Sequence, residues 1–273
     1  MTLYRRIAIY CLLGGLCFTF PALSMGHFWP YWLSGAVTVA SLVPVVRFGP
    51  QQMLAKACMI ALALIVVGLV CTLVEGALFF PQMQNEVLRD LIGGSVAYLV
   101  ASVLLVVLAR LLQLPETATP APEHRSVGIA IPMVLLSGLS YVVYYMVFGG
   151  ITYQFFTRQY YPHAAEQVAA IGPWFWPYQW ARGTAMVLAV LPIVYTLRLS
   201  RWRAALAVGL LLWIVGGGAS LLVPNSVMVP AQRFDHLVEI MTQNVSLGFT
   251  TVLLLRRKPA TAKAASMQPV PTS

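Results

Sequence analysis

Long apolar runs, each about the length of a membrane-spanning helix, occupy most of this 273-residue chain. A helix needs roughly 20 apolar residues to cross a bilayer, whereas a barrel strand needs only about 10 and alternates in polarity. Because the runs are long and continuous, we predict helices, which satisfy their backbone hydrogen bonds within one segment. We therefore predict an all-α, polytopic membrane protein with eight transmembrane helices. They cover residues 7–23, 28–46, 58–80, 91–111, 127–148, 178–197, 204–223 and 236–255.

Composition and charge agree with this class. Apolar residues make up 59% of the chain and charged residues 9%, whereas a soluble domain carries about 25% charged residues. Of the 17 Lys and Arg residues, thirteen lie in the N-terminal segment, in alternate connections or in the C-terminal tail. The net charge of +9 therefore indicates the orientation of the chain in the membrane and does not indicate a nucleic-acid-binding surface. We predict a multi-pass protein of the bacterial inner membrane, with both termini in the cytoplasm and no nucleic-acid partner.

A segment rich in Pro, Thr and Ala at residues 113–126 separates two groups of four helices. We predict a first membrane repeat at 1–112 and a second at 127–257, with 113–126 as a cytoplasmic linker. Residues 149–177 are too polar to span and rich in aromatic side chains, which predicts an interfacial cap over the outer side. The tail at 258–273 is predicted to be disordered.

The first apolar run also has features of a signal peptide. Arg5 and Arg6 precede it, and Ala22, Leu23 and Ser24 supply small residues for cleavage near its end. The run is nevertheless long enough to span, and a second run returns after a very short turn. We interpret it as a retained first helix.

An internal duplication is indicated by the motif FWPY, which begins at Phe28 and again at Phe175. Glycines and prolines further along the second and sixth helices correspond at nearly the same separation. The alternative is chance recurrence, since interfacial aromatics and a helix-starting proline are common at such positions. We predict a 4+4 tandem repeat whose copies have the same orientation across the membrane.

Ionisable residues on the outer side concentrate in the second half, near the start of the last helix. The 3.6-residue repeat places Arg233, His236, Glu239, Gln243 and Asn244 on one helix face. A carboxylate within an apolar span must face the bundle and find a partner, which makes Glu239 a candidate functional group. We therefore predict a polar pocket at this face.

Candidate partners for Glu239 are Arg182 in the sixth helix and, on its own helix, Arg233 and His236. Glu75 is a further candidate for the pocket, and the cap could contribute Arg158, His163 and Glu166. The alternative to a functional role for Glu239 and Arg182 is a structural ion pair that fixes helix register. His236 and Glu239 also have the i, i+3 spacing of a bundle metal site. A single such pair recurs by chance, so we predict no metal.

No nucleophile, phosphate-binding or nucleotide-binding motif accompanies these residues, so we predict no catalytic residues and no cofactor. Three function classes remain. The leading hypothesis is permease-like transport of a small solute or ion through the outward-facing pocket. The second is a membrane-embedded enzyme acting on a lipid or lipid-linked substrate. The third is a non-catalytic accessory subunit whose aromatic cap contacts a membrane-protein partner. The lipid bilayer itself is the one partner common to all three.

Overall fold

The computed structural model describes residues 1–20, 27–79, 84–116, 122–123, 125–161, 163–225 and 228–257. Within these ranges the regular structure is helical, and no strand forms. The predicted disordered tail at 258–273 lies outside the described residues, as do the last part of the first predicted helix and the middle of the predicted linker.

Most of the helices are long, and they run in alternating directions. The bounds are α1 Leu3–Gly15, α2 Phe28–Phe48, α3 Met53–Phe79, α4 Val87–Leu111, α5 Val127–Thr157, α6 Ala164–Ile171, α7 Phe175–Thr196, α8 Arg201–Trp213 and α9 Pro230–Leu255. Five of them, α2, α3, α4, α5 and α9, are long and apolar enough to cross a membrane. With α1, α7 and α8 added, the eight predicted helices fit the structure.

Several boundaries differ from the predicted ones. The fifth helix does not end at Phe148 but continues to Thr157, through widened turns at Tyr145–Gly149 and Tyr153–Thr157. The first part of the predicted cap therefore belongs to α5. A Cβ atom at Gly149 would lie 3.1 Å from the Glu239 carboxylate, so the absence of a side chain lets α9 approach. The last helix begins at Pro230, which suits the first helical turn.

The two ends of the bundle have different contacts. On the terminal side, where α1 begins and α9 ends, Arg6 Nη1 donates to the Gln113 carbonyl (2.8 Å). There the Arg198 amide also donates to the Phe48 carbonyl (2.7 Å), which joins the segment after α7 to the end of α2. The opposite end carries the short helix α6, and we refer to it as the cap side.

The helices pack in a simple pattern. In the first half α1 contacts α2 and α4, and α3 contacts α4; in the second half α5 contacts α7 and α9, and α8 contacts α9. Between the halves, α7 lies against α3, and α2 lies against α8. The widened turn Ala63–Val70 of α3 also crosses the widened turn Ile214–Gly218 that continues α8, with Val67 and Gly68 against Val215 and Gly216.

Glycines set the closest helix contacts. Gly209 on α8 and Gly248 on α9 face each other, and a Cβ atom at Gly248 would overlap the backbone of Gly209. Gly183 on α7 is similar, since its Cβ would lie 2.7 Å from the Gly138 carbonyl oxygen. Small residues of this kind let helix backbones approach within the membrane, where packing drives helix association.

We expect Gly248→Ala to destabilise the protein by about 1–3 kcal/mol, because the added methyl group meets backbone atoms that cannot rotate away. Thermal unfolding of the purified protein in detergent measures the loss. The matched control is Gly128→Ala on α5, where no atom lies within 4 Å of the new Cβ. Equal melting temperatures for the two variants would contradict the close α8–α9 contact.

Candidate functional site

A buried ion pair joins the two halves on the cap side. Arg182 on α7 contacts Glu75 on α3 through both guanidinium nitrogens, with Nη2 to Oε2 at 2.5 Å and Nη1 to Oε1 at 2.6 Å. The Arg182 side chain is only 5% exposed, and that of Glu75 is 24% exposed. A two-pronged contact of this kind is the strongest geometry available to an arginine and a carboxylate. Arg182 is thus paired with Glu75 and not with Glu239.

The position of this pair follows from the helices that carry it. At 1.5 Å per residue, Arg182 lies roughly 10 Å inside the cap-side end of α7, and Glu75 lies roughly 6 Å inside the end of α3. The guanidinium carbon of Arg182 lies 5.5 Å from the centre of the Tyr141 ring on α5. Arg182 therefore ties three helices together at one point.

A second polar chain starts from Glu239 on α9. Of its three candidate partners, the carboxylate contacts His236, with Nδ1 to Oε2 at 2.9 Å. Gln243 Nε2 donates to the other carboxylate oxygen at 3.1 Å. The remaining ring nitrogen of His236 lies 2.8 Å from the Tyr161 hydroxyl, in the segment after α5. Tyr161, His236 and Glu239 therefore form a continuous hydrogen-bonded chain from the cap to the bundle.

Tyr161 keeps its proton in this setting. Burial of its hydroxyl raises the pKa of Tyr161 to about 12, and the charges of Glu239 and Glu75 act in the same direction, while a hydrogen bond with Gln232 acts against them. The phenol is therefore neutral at ordinary pH and can donate to a neutral His236 ring. If the ring is protonated instead, the phenol oxygen can accept from it.

The two polar groups belong to one region. Tyr145, in the first widened turn of α5, is close enough to Glu75, Glu239 and Arg182 to interact with the charge of each. Its ring also contacts Phe175, with centroids 5.8 Å apart, and Phe175 in turn contacts Phe79. The ion pair and the Glu239 chain are thus both close to Tyr145.

Buried polar atoms without partners lie beside the ion pair. Gln179, three residues before Arg182, is fully buried, and neither its amide nitrogen nor its oxygen has a hydrogen-bond partner among the described residues. The Tyr178 hydroxyl and Arg182 Nε are also buried without a hydrogen-bond partner among the described residues. Tyr178 lies close enough to interact with both Arg182 and Glu75. An open buried amide costs about 1–3 kcal/mol, so such groups are rarely left unmatched.

Sequence reasoning missed Gln179, Tyr178 and Tyr161. One signal was present for Gln179, because an amide three residues from Arg182 on a helix shares its side of the helix. The proximity of Tyr161 to His236 could not be predicted from the sequence, since 75 residues separate them along the chain. Glu75, which the sequence offered only as a further contributor, is the direct partner of Arg182.

Two predicted pocket residues have other surroundings. Asn244 is buried between α9 and α8, where its Nδ2 donates to the Leu212 carbonyl at 3.0 Å. In the widened turn after α8 the helical geometry breaks at Gly216 and Gly217, the second of which has φ +138°, and Asn244 satisfies a carbonyl just before that break. Among the residues that the structure describes, Arg233 makes one long contact, from Nη1 to the Leu221 carbonyl at 3.5 Å. Neither residue joins the Arg182 or Glu239 groups.

The predicted cap residues do not contact the Arg182 pair or the Glu239 chain either. His163, just before α6, pairs with Glu166 in the first turn of α6 at 3.1 Å, and the two side chains are 70% and 78% exposed. Arg158 is exposed just after α5 ends. In the described part of the chain, no three His, Cys, Asp or Glu side chains come together as a metal site.

Comparisons with protein-family models, with curated proteins and with solved structures find no match for this chain.

We expect Glu75→Gln to destabilise the protein by about 3–5 kcal/mol, because it leaves the buried Arg182 guanidinium without its carboxylate. The double variant Glu75→Gln/Arg182→Gln removes both charges and should unfold at a higher temperature than Glu75→Gln alone. Thermal unfolding in detergent measures both. Glu166→Gln breaks an exposed pair and serves as the control, with no change expected. Additive effects of the two substitutions would show that the charges do not depend on each other.

Proposed function

We propose that this protein is a permease-like transporter of a small polar solute or ion, built from two four-helix repeats in a bacterial inner membrane. Its binding site lies at the junction of the halves, around Arg182, Glu75 and Gln179, and opens toward the cap side. His236 and Glu239 carry protons beside it. Thirteen of the 17 Lys and Arg residues lie, by sequence, in the N-terminal segment, in alternate connections or in the tail, which favours a cytoplasmic location for the terminal side and for both termini.

Matching contacts in the two halves support the repeat. Trp32 Nε1 donates to the Leu12 carbonyl at 3.0 Å, and Trp180 Nε1 donates to the Leu135 carbonyl at the same distance. The two tryptophans occupy the same position relative to the FWPY motifs, within one residue. The pattern of helix contacts in the first half also recurs in the second.

The crossing of α3 and α8 supports the repeat independently. A Cβ atom at Gly68 would lie 3.1 Å from Val215, and one at Gly216 would lie 3.2 Å from Val67. The partners of each contact exchange roles, as they do about a twofold axis. Transporters built from repeats that share one orientation have such an axis along the membrane normal, with the substrate site at the repeat interface.

The single observation that carries the transport proposal is the open amide of Gln179. It lies fully buried one turn from an ion pair that links the halves, and nothing among the described residues satisfies it. A purely structural core would favour an apolar residue there, because an unmatched buried amide is destabilising. A polar solute that passes through the junction would supply the missing hydrogen bonds.

The Glu239 chain supports a role for protons. Histidine is the side chain whose charge changes between about pH 5 and 8, and His236 bridges Tyr161 on the cap and Glu239 inside the bundle. Ionisable chains of this kind within a bundle are typical of proton pathways.

The decisive variant is Gln179→Leu. Because it removes an unmatched amide, it should leave the melting temperature unchanged or raise it. In proteoliposomes with an entrapped pH-sensitive dye and a tracer for each solute, we expect the wild-type protein to carry at least one of four probes: a neutral amino acid, a monocarboxylate, inorganic phosphate or potassium. Gln179→Leu and Glu239→Gln should reduce that flux to the level of empty liposomes.

The control is Glu166→Gln, which alters an exposed His-x-x-Glu pair of the same spacing and should transport normally. His236→Gln removes the ring that joins Tyr161 to Glu239 and should also reduce the flux. Normal flux in both Gln179→Leu and Glu239→Gln would contradict the proposal. Turnover of a lipid substrate in detergent, without a gradient, would favour the enzyme alternative.

A further inference from the structure

A cavity of about 380 Å³ opens on the terminal side of the first half, far from the cap-side site. It lies where α2 ends, α3 begins and α4 ends. Its lining includes Val46, Met53, Lys56, Arg110, Gln113 and Glu116. The volume is within the range of small-molecule sites, which is roughly 300–1,000 Å³.

Lys56 is the deepest charged group in this cavity. Its side chain is only 4% exposed, and its ammonium group is paired with the Glu116 carboxylate. Glu116 belongs to the non-helical segment after α4, and its side chain is 42% exposed. A buried ammonium group requires an anion, whereas a carboxylate at the mouth of the cavity can leave for water at small cost. Glu116 is thus a replaceable anion.

Arg110 gives the same cavity a second cation whose hydrogen-bonding capacity is little used. It is exposed in the last turn of α4, and within the described ranges its Nη1 has the Met53 sulfur as its one acceptor, at 3.0 Å. A thioether is a weak acceptor, and no carboxylate among the described residues pairs with Arg110. Arg256, just after α9, is the contrast, because it is buried and donates to three backbone carbonyls at 2.6–3.0 Å.

The charges indicate what kind of ligand the cavity suits. Lys56 and Arg110 contribute two positive charges and Glu116 one negative charge, so these three side chains have a net charge of +1. A carboxylate that binds Lys56 alone, as Glu116 does, leaves Arg110 without an anionic partner among the described residues. A phosphate presents several anionic oxygens in different directions and can contact both cations at once. Basic pockets between transmembrane helices are suited to binding the phosphate headgroups of lipids.

We propose that this cavity binds the phosphate group of an organic phosphate, held between Lys56 and Arg110, and that Glu116 is the intramolecular anion it displaces. The apolar walls formed by Val46 and Met53 accept the ester side of the ligand. The phosphate comes either from a lipid headgroup or from a soluble ester. This site is separate from the transport site.

Isothermal titration of the purified protein in a neutral detergent tests the proposal, with short-chain phosphatidylglycerol, glycerol phosphate and inorganic phosphate as probes. We expect saturable binding of at least one probe. Lys56→Gln and Arg110→Gln should each weaken it roughly tenfold or more, as expected for loss of a charged hydrogen bond. Glu116→Gln should tighten it, because the competing carboxylate is gone.

Arg203→Gln is the matched control, since Arg203 is an exposed cation on the same side of the bundle. Its affinity should equal that of the wild type. Arg110 is itself exposed, so Arg110→Gln tests the site without disturbing the core, and a melting curve verifies the fold of Lys56→Gln.

The three probes distinguish the sources. Binding of phosphatidylglycerol alone assigns the site to a lipid, and binding of glycerol phosphate or inorganic phosphate as well assigns it to a soluble ligand. Absence of saturable binding to all three probes would overturn the proposal, as would wild-type affinity in Arg110→Gln or weaker binding in Glu116→Gln. The measurement involves no flux, so a negative result leaves the transport proposal unaffected.

Discussion

The buried charge of Arg182 is the constraint on which the arrangement of the cap side depends. A guanidinium group enclosed in an apolar bundle is costly unless a carboxylate and further polar or aromatic groups surround it. Glu75 supplies the carboxylate from the other half of the chain, and the Tyr141 ring covers the cation from α5. Because the two-pronged contact fixes both distance and angle, it sets the register of α7 against α3 and so of one half against the other.

Arginines close helix ends on the terminal side, whereas the cap side holds a buried amide. On the terminal side, Arg256 donates to the carbonyls of Val194, Leu197 and Leu199, which closes the end of α7. Arg125 donates in the same way to the end of α9, at the Leu254 carbonyl. On the cap side, Gln179 and Tyr178 are buried with open hydrogen-bonding atoms. Open nitrogens also occur on the terminal side, at Arg47 Nε and Arg201 Nε, but Gln179 differs because neither polar atom of its side chain has a partner among the described residues.

Glycine explains how the helices come close enough for these contacts. The break in α8 at Gly216 and Gly217 lies where α8 crosses the widened turn of α3, and Gly217 adopts a φ of +138° that other residues rarely reach. The glycine run both permits close packing and breaks the helix, since Val67 lies against Gly216, Gly217 has a positive φ, and Asn244 satisfies a carbonyl before the break.

The sequence by itself determined the helical class, the approximate positions of the apolar segments and the principle that Glu239 must have a partner. These follow from local properties, namely the length of an apolar run and the cost of a charge within it. Tertiary structure alone decided that Arg182 pairs with Glu75, 107 residues away, and that Tyr161 completes the His236 chain. It also decided that Lys56 and Arg110 share a cavity. Periodicity gives the face of a helix on which a residue lies, but the rotation of each helix and the identity of its neighbour come only from packing.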